Sequence, residues 1–562
     1  MSSKKTLKRM NPKQMDSDKT DPIKQMEETR SMNRASGFTS SYLLSFVALG
    51  CLALTPALSA QDATSRPASQ PTTEGVESSC TELARRVLAG VSRVPESVRN
   101  LPPQKLEEVQ RDVDEAIVAA NQYLKQCPKA TEREQVLVGL GKLLVLNNQR
   151  VLTQHIKDYQ DANNKKSPDA VWIGEKRKQY FQQVFAVLTE AERTRDEDLA
   201  GEIERLKAKC HYYVGDFAKA AETYAAAIKS HPLDPAPDET LCALAGSYLK
   251  AGTQAAGALQ DSSRFFEGVL THSQDFVRRY PTSRFLPHIL HMEMKAYVGL
   301  GRTDDGLKFL QKYVDMHHKV VGGEAIVIDG QRHMFSATTR SEFEVYLDQY
   351  EFHLGFMHYV NGNILEAQSH MQRQVDFLTE KGKTKTLGPS SRVYLNRTNE
   401  VLETMKELQG KPAPALELGK DSWVNDQELS LEAERGQVVA LLFAAYGTPR
   451  YDPFSRALET YYQAKWGEGF RAAWVTFRKG PRDIEEQKRD VDAQRRRLGL
   501  SYPAGVDCSD QFAASRGFNA SVGGANFIVL DRQGNVAWFK IDPTERDLAV
   551  AARVVDRLLS EK

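Results

Sequence analysis

The chain has 562 residues, with 75 Lys and Arg against 74 Asp and Glu, and 41% of its side chains are hydrophobic. That length exceeds what one hydrophobic core organises, so two or three domains are expected. The charge balance argues against a nucleic-acid binder, which carries a basic excess on at least one domain.

The first segment, residues 1–60, reads as an export signal. Tyr42 to Leu54, "YLLSFVALGCLAL", is an apolar run of h-region length, and "TPALSAQDA" follows with Pro56 and the small residues Ser59 and Ala60. This is the pattern of a signal peptide cut after Ala60. Tyr42 to Ala60 only just reaches the roughly 20 residues that span a bilayer. No membrane span is therefore expected after cleavage, whereas an uncleaved signal would leave an anchor. The stretch ahead of the apolar run is long for an n-region, and Met32 is a candidate for the true start. Cys51 does not fit a lipoprotein site, because Ala48 stands where leucine is expected and apolar residues continue beyond it. The expected location is the periplasm or cell envelope.

Export implies an oxidising compartment. Cys80, Cys127, Cys210, Cys242 and Cys508 follow the signal, an odd number that leaves at least one thiol free or paired between chains. Cys80 and Cys127 flank the first helical segment and are the candidate disulfide. Cys242, in "LCALAGSYL", reads as a buried apolar residue. No cysteine spacing resembles a zinc site or a haem attachment motif, so neither metal nor cofactor is expected. His288 and His291, in "HILH", lie one helical turn apart but lack a third ligand, and they read as structural.

Residues 61–79, "QDATSRPASQPTTEGVESS", have almost nothing to bury and read as a flexible tether. From 80 to 408 almost every segment has helical periodicity, as in "VQRDVDEAIVAANQYLKQC" and "QYFQQVFAVLTEAERT". Val320 to Arg340, "VVGGEAIVIDGQRHMFSATTR", interrupts it with glycines and β-branched residues and predicts an inserted loop or short hairpin.

The helical region repeats itself. "VGDFAKAAETYAAAIKSHP" sets Gly215 at a tight turn between two antiparallel helices, and small Ala220 and Ala227 permit close approach. Tyr224 fills the gap between units, and Pro232 ends the helix. Weaker copies place Leu244, Ala245, Tyr248 and Gly252; Tyr297, Gly301, Gly306 and Leu310; and Leu354, Gly355, Gly362, Ala367 and Met371. The pattern resembles the tetratricopeptide repeat. The turn glycines at 215, 252, 301 and 362 are spaced unevenly, whereas the regular repeat is about 34 residues, so an irregular superhelix is expected. The resemblance implies a protein or peptide partner on the concave face. Arg205, Lys209, Tyr212 and Tyr213 match concave positions in the best unit.

At Gly410 the texture changes to alternating strand and helix. Val438 to Phe443 is a continuous apolar run, as in a strand buried on both faces, and "GFRAAWVTF" is a second. A helix, "FSRALETYYQAKWG", lies between them. "NFIVLDRQGNVAWFKID" reads as a hairpin turning at Gln533-Gly534, and "ERDLAVAARVVDRLLSEK" as a closing amphipathic helix. "GKPAPALEL", "LSLEAERGQVVALLF" and "NFIVLDRQGNVAW" resemble the thioredoxin fold, in its exported TlpA-like and redoxin (AhpC/TSA-type) branch, over 410–562. The expected fold is an all-α tetratricopeptide-like superhelix followed by an α/β thioredoxin-like domain.

That family carries Trp-Cys-Gly-Pro-Cys after this strand, the first thiolate stabilised at a helix N-terminus. The matching positions here are Tyr446, Gly447, Thr448, Pro449 and Arg450, with Gly447 and Arg450 in place of the cysteines. Thr448-Pro449 and Asp452-Pro453 are both good helix starts, and they cannot open one helix because Pro453 would clash with the carbonyl of Pro449, so a turn is expected between them. The family's cis-proline position holds Ala525, where a trans bond is expected because a non-proline cis bond costs about 3 kcal/mol. Cys508 is the one thiol left in this region. "DAQRRRLG" reads as a solvated helix face, and there is no phosphate loop or G-x-S-x-G elbow. The expected function is an exported interaction scaffold without catalysis. Two other readings stay open: a thiol-disulfide oxidoreductase or peroxidase-like redoxin working through Cys508 alone, and a structural protein of the cell envelope.

Overall fold

The computed structural model describes residues 73–561, apart from 95–102, 164–167, 425–426, 446–447, 449–450, 478–482, 509–512 and 519–524 and the single residues 169, 233, 235, 259, 385, 542 and 544. The export signal expected over 1–60 lies outside the described residues. The tether expected over 61–79 is shortened, because helix α1 (Thr73–Arg93) already begins at Thr73. A helix nucleated by packed residues propagates outward at one hydrogen bond per residue, so its end overruns a composition boundary.

Helices fill the chain from there to 408. α2 (Pro103–Gln126), α3 (Arg133–Ala162) and α4 (Ala170–Ala191) pack with α1 around Val87, Tyr123, Leu140 and Phe181, all buried. Then come antiparallel pairs: α5 (Glu197–Val214) with α6 (Phe217–Ser230), α7 (Pro237–Gly257) with α8 (Ser263–Arg279), and α9 (Leu286–Gly299) with α10 (Thr303–Val321). Asp196 caps α5, accepting from the backbone N–H groups of Asp198 and Leu199 at 2.9 and 3.1 Å. Gly215 closes α5 at φ 89°, a left-handed conformation that a side chain resists, and Asp216 then caps α6. Ala220, Ala227 and Tyr224 are buried between neighbouring units.

The inserted segment is a hairpin, β1 (Ile326–Ile328) and β2 (Gln331–His333), followed by α11 (Ala337–Leu347). The pair α12 (Tyr350–Val360) and α13 (Ile364–Thr384) follows, and α14 (Pro389–Leu408) ends the array.

The second unit is a five-stranded sheet in the order β5-β4-β3-β6-β7. β3 (Val438–Ala445) is central, parallel to β4 (Phe470–Phe477) and antiparallel to β6 (Ala525–Leu530). β5 (Ala504–Val506) extends the parallel side, and β7 (Val536–Ile541) forms the expected hairpin with β6. Residues 438–444 are all buried, which explains an apolar run without alternation. The remaining helices are α15 (Asp452–Lys465), α16 (Ile484–Leu498), the short α17 (Ala513–Gly517) and α18 (Glu545–Ser560); α15 and α18 pack together against the sheet.

The two units share one core. A continuous apolar cluster runs from Tyr359, Met371, Leu402 and Met405 of the array into Trp538, Phe539 and Val554 of the sheet unit. The Tyr359 hydroxyl accepts from the Phe539 backbone N–H at 2.7 Å and donates to Gln409 at 2.9 Å. α18 also packs against α7.

Candidate functional site

In a thioredoxin-like sheet, chemistry sits where the central strand hands over to the next helix. Here β3 leads to α15, and Gly447, Pro449 and Arg450 lie outside the described residues. Thr448 is half-buried, and its carbonyl accepts from the Tyr451 N–H at 3.2 Å. α15 then opens at Asp452-Pro453. The Asp452 carboxylate accepts from Arg497 at 2.7 Å and from Gln494 at 3.1 Å, both on α16. A negative side chain in the first turn complements the helix dipole. The start of the helix, where a thiolate would be stabilised, is therefore held by a carboxylate and strapped to α16.

Ala525 opens β6 directly across from Ala444 of β3. Its bond to Gly524 lies outside the described residues. Its neighbour Asn526 is buried and donates to the Phe518 carbonyl at 2.9 Å, while Phe518 stacks on Phe443 at 4.7 Å between centroids. Sequence reasoning passed over Asn526; a polar residue inside a buried apolar strand was the available signal.

Cys508 follows β5 and is exposed. Although the residue as a whole is exposed, partial desolvation of the sulfur, with the neighbouring Asp507 carboxylate adding to it, raises the thiol above its ordinary value. Asp507 is fully buried and accepts from the Ser515 backbone N–H at 2.7 Å. This environment disfavours the thiolate, which is the nucleophilic form. Cys210 and Cys242 are each pushed up to about 12, chiefly by burial.

Cys80 of α1 and Cys127 just beyond α2 form a disulfide, with Cα atoms 5.9 Å apart. The four residues assigned to a concave face are half-buried and largely engaged in packing. Arg205 pairs with Asp234 at 3.6 Å, Tyr213 stacks on Phe181 at 5.4 Å, and Tyr212 meets Phe217 edge-on at 5.2 Å. His288 and His291 both lie against Tyr346 of α11. Among the described residues no group of three or more His, Cys, Asp or Glu is placed to hold a metal ion, and no helix is long and apolar enough to cross a membrane.

No protein-family model matches the chain, and no curated protein matches it. Solved structures similar to about a quarter of the chain include a thiol-disulfide isomerase from Corynebacterium glutamicum, 21% identical over 27% of this chain and 98% of that one, with a TM-score of 0.23. A thiol:disulfide interchange protein of the thioredoxin family from Chlorobium tepidum is 19% identical over 27% and 97%, TM-score 0.23. The thioredoxin domain of a thiol-disulfide oxidoreductase from Bacteroides vulgatus is 18% identical over 26% and 97%, TM-score 0.22. It is the strand order and pairing, rather than these scores, that make the sheet unit thioredoxin-like in fold.

Proposed function

We propose that the chain is an exported protein-interaction scaffold. Residues 80–408 form an irregular tetratricopeptide-type array that binds a protein or peptide, and the thioredoxin-like domain of 410–562 is its rigid end piece. The observation that carries this reading is the treatment of the former thiol site. Gly447 and Arg450 stand at the cysteine positions, Asp452 and Arg497 bridge the helix start, and the lone Cys508 is held toward its protonated form. The shared core supports the role of the second unit, since a domain whose helix α18 is built into the array acts as its end cap.

The binding surface in this reading includes Lys209 and Tyr212 of α5, and the location is the periplasm or cell envelope. Insulin-reduction and peroxide-consumption assays on the mature chain test it, with Cys508→Ser as control. The expected result is no turnover. Turnover lost in Cys508→Ser would replace the scaffold with a single-cysteine redoxin. Crosslinking capture from the native envelope fraction tests the binding half, and capture unchanged by Lys209→Ala and Tyr212→Ala moves the surface elsewhere.

A further inference from the structure

The inserted segment between α10 and α12 lies on a seam of imidazoles. Tyr346 of α11 contacts His288 and His291 of α9 at 5.2 and 4.9 Å between centroids. Phe343 of α11 contacts His317 of α10 at 4.4 Å. His291 meets His353 of α12 at 5.2 Å, and His353 meets Tyr394 of α14 at 6.0 Å. Four helices thus converge on histidines beneath the insert.

The seam is built for neutral rings. Nδ1 of His317 donates to the Tyr313 carbonyl at 2.7 Å, which can only accept, so its Nε2 accepts from the Tyr350 hydroxyl in the neutral tautomer. Nδ1 of His291 and Nε2 of His353 are buried without a hydrogen-bond partner. The charges bearing on the rings are positive: Lys295 on His291 and His353, Arg397 on His353, and neighbouring His288 and His318 when protonated. The carboxylates at the end of α11 are engaged elsewhere, Glu344 and Asp348 pairing with Lys381 of α13 at 3.2 and 2.7 Å. Glu293 of α9 acts on Tyr297 and Tyr313. Burial pushes His317 and His353 down to about 3 and His291 well below its ordinary value.

We propose that this seam makes residues 324–349 an acid-released strap: protonation of His291 and His317 detaches the hairpin and α11 from α9 and α10 while the pairs α5–α6 and α7–α8 stay folded. The direction follows from linkage. A ring that titrates normally when freed but resists protonation in place favours the open state as pH falls below about 6.5. Each ring freed multiplies the opening constant about fivefold between pH 6.5 and 5.5, so the two beneath the insert, His291 under Tyr346 and His317 under Phe343, give about thirtyfold. This inference does not depend on the scaffold reading.

Amide hydrogen exchange on the full chain, corrected for intrinsic rates, measures the opening segment by segment. Between pH 6.5 and 5.5 the opening constant of 326–347 should rise by at least about fivefold and up to about thirtyfold, with little change in α6 and α7. In His291→Phe, and separately in His291→Gln, the rise should shrink by about fivefold relative to the two-ring case. Circular dichroism at pH 7.5 establishes which variant is folded. Equal opening at both pH values, a rise spread evenly over the array, or an undiminished rise in a folded variant overturns the proposal.

Discussion

The Arg553 guanidinium of the last helix donates to the carbonyl oxygen of Val298, at the end of α9, at 2.8 Å. One turn further along α18, Arg557 reaches the carbonyl of Val360 at the end of α12 at 3.3 Å. Two cations of the thioredoxin-like domain thus satisfy the open carbonyls and negative dipole ends of two array helices. The turn glycines make room: a Cβ on Gly301 would meet Arg553 at 3.1 Å, and one on Gly362 would meet Arg557 at 2.7 Å.

Arg553→Ala therefore costs about 2 kcal/mol, the scale of a hydrogen bond to a charged donor. The double variant with Arg557→Ala is expected to split one calorimetric transition into two. A single transition at an unshifted midpoint would show that the domains couple by other contacts.

Tyr359→Phe removes a buried hydroxyl and leaves the Phe539 N–H without its acceptor. The expected loss is about 1–3 kcal/mol, read from the denaturant midpoint. An unchanged midpoint argues that water replaces the hydroxyl.

Glu293 carries a pH prediction of its own. Burial raises its carboxyl to about 8, against the opposing pull of Lys312. Its folded value lies above its unfolded one, so its contribution is fully present below about 4.5 and is lost as pH rises through about 8. Glu293→Gln should gain stability relative to the parent across that window and run parallel above it. Parallel profiles throughout would place Glu293 in water.

The Cys80–Cys127 bond closes a loop with a sequence separation of 47. Replacing both by serine should cost about 2–4 kcal/mol, localised to α1–α3. Exchange protection in α1 that survives reduction would mean that packing alone holds it.

Much of this was legible in the residues. The switch near Gly410, the buried run of β3, the hairpin at Gln533-Gly534 and the helical turn at Gly215 each follow from short-range rules of periodicity, burial and backbone freedom. The missing cysteines at 447 and 450 were also plain, because chemistry that needs sulfur is decided by composition at a position. Other features needed the folded chain. Nothing near Arg553 or Arg557 announces that they cap helices 254 and 197 residues away. Tyr212 and Tyr213 match concave positions of the repeat in sequence, while only the fold shows their rings packing on Phe217 and Phe181. His288 and His291 became a seam only when the insert laid Tyr346 across them and α12 brought His353. Local propensity is written along the chain, whereas long-range contacts depend on how elements pack, and packing is set by the whole set of burial energies at once.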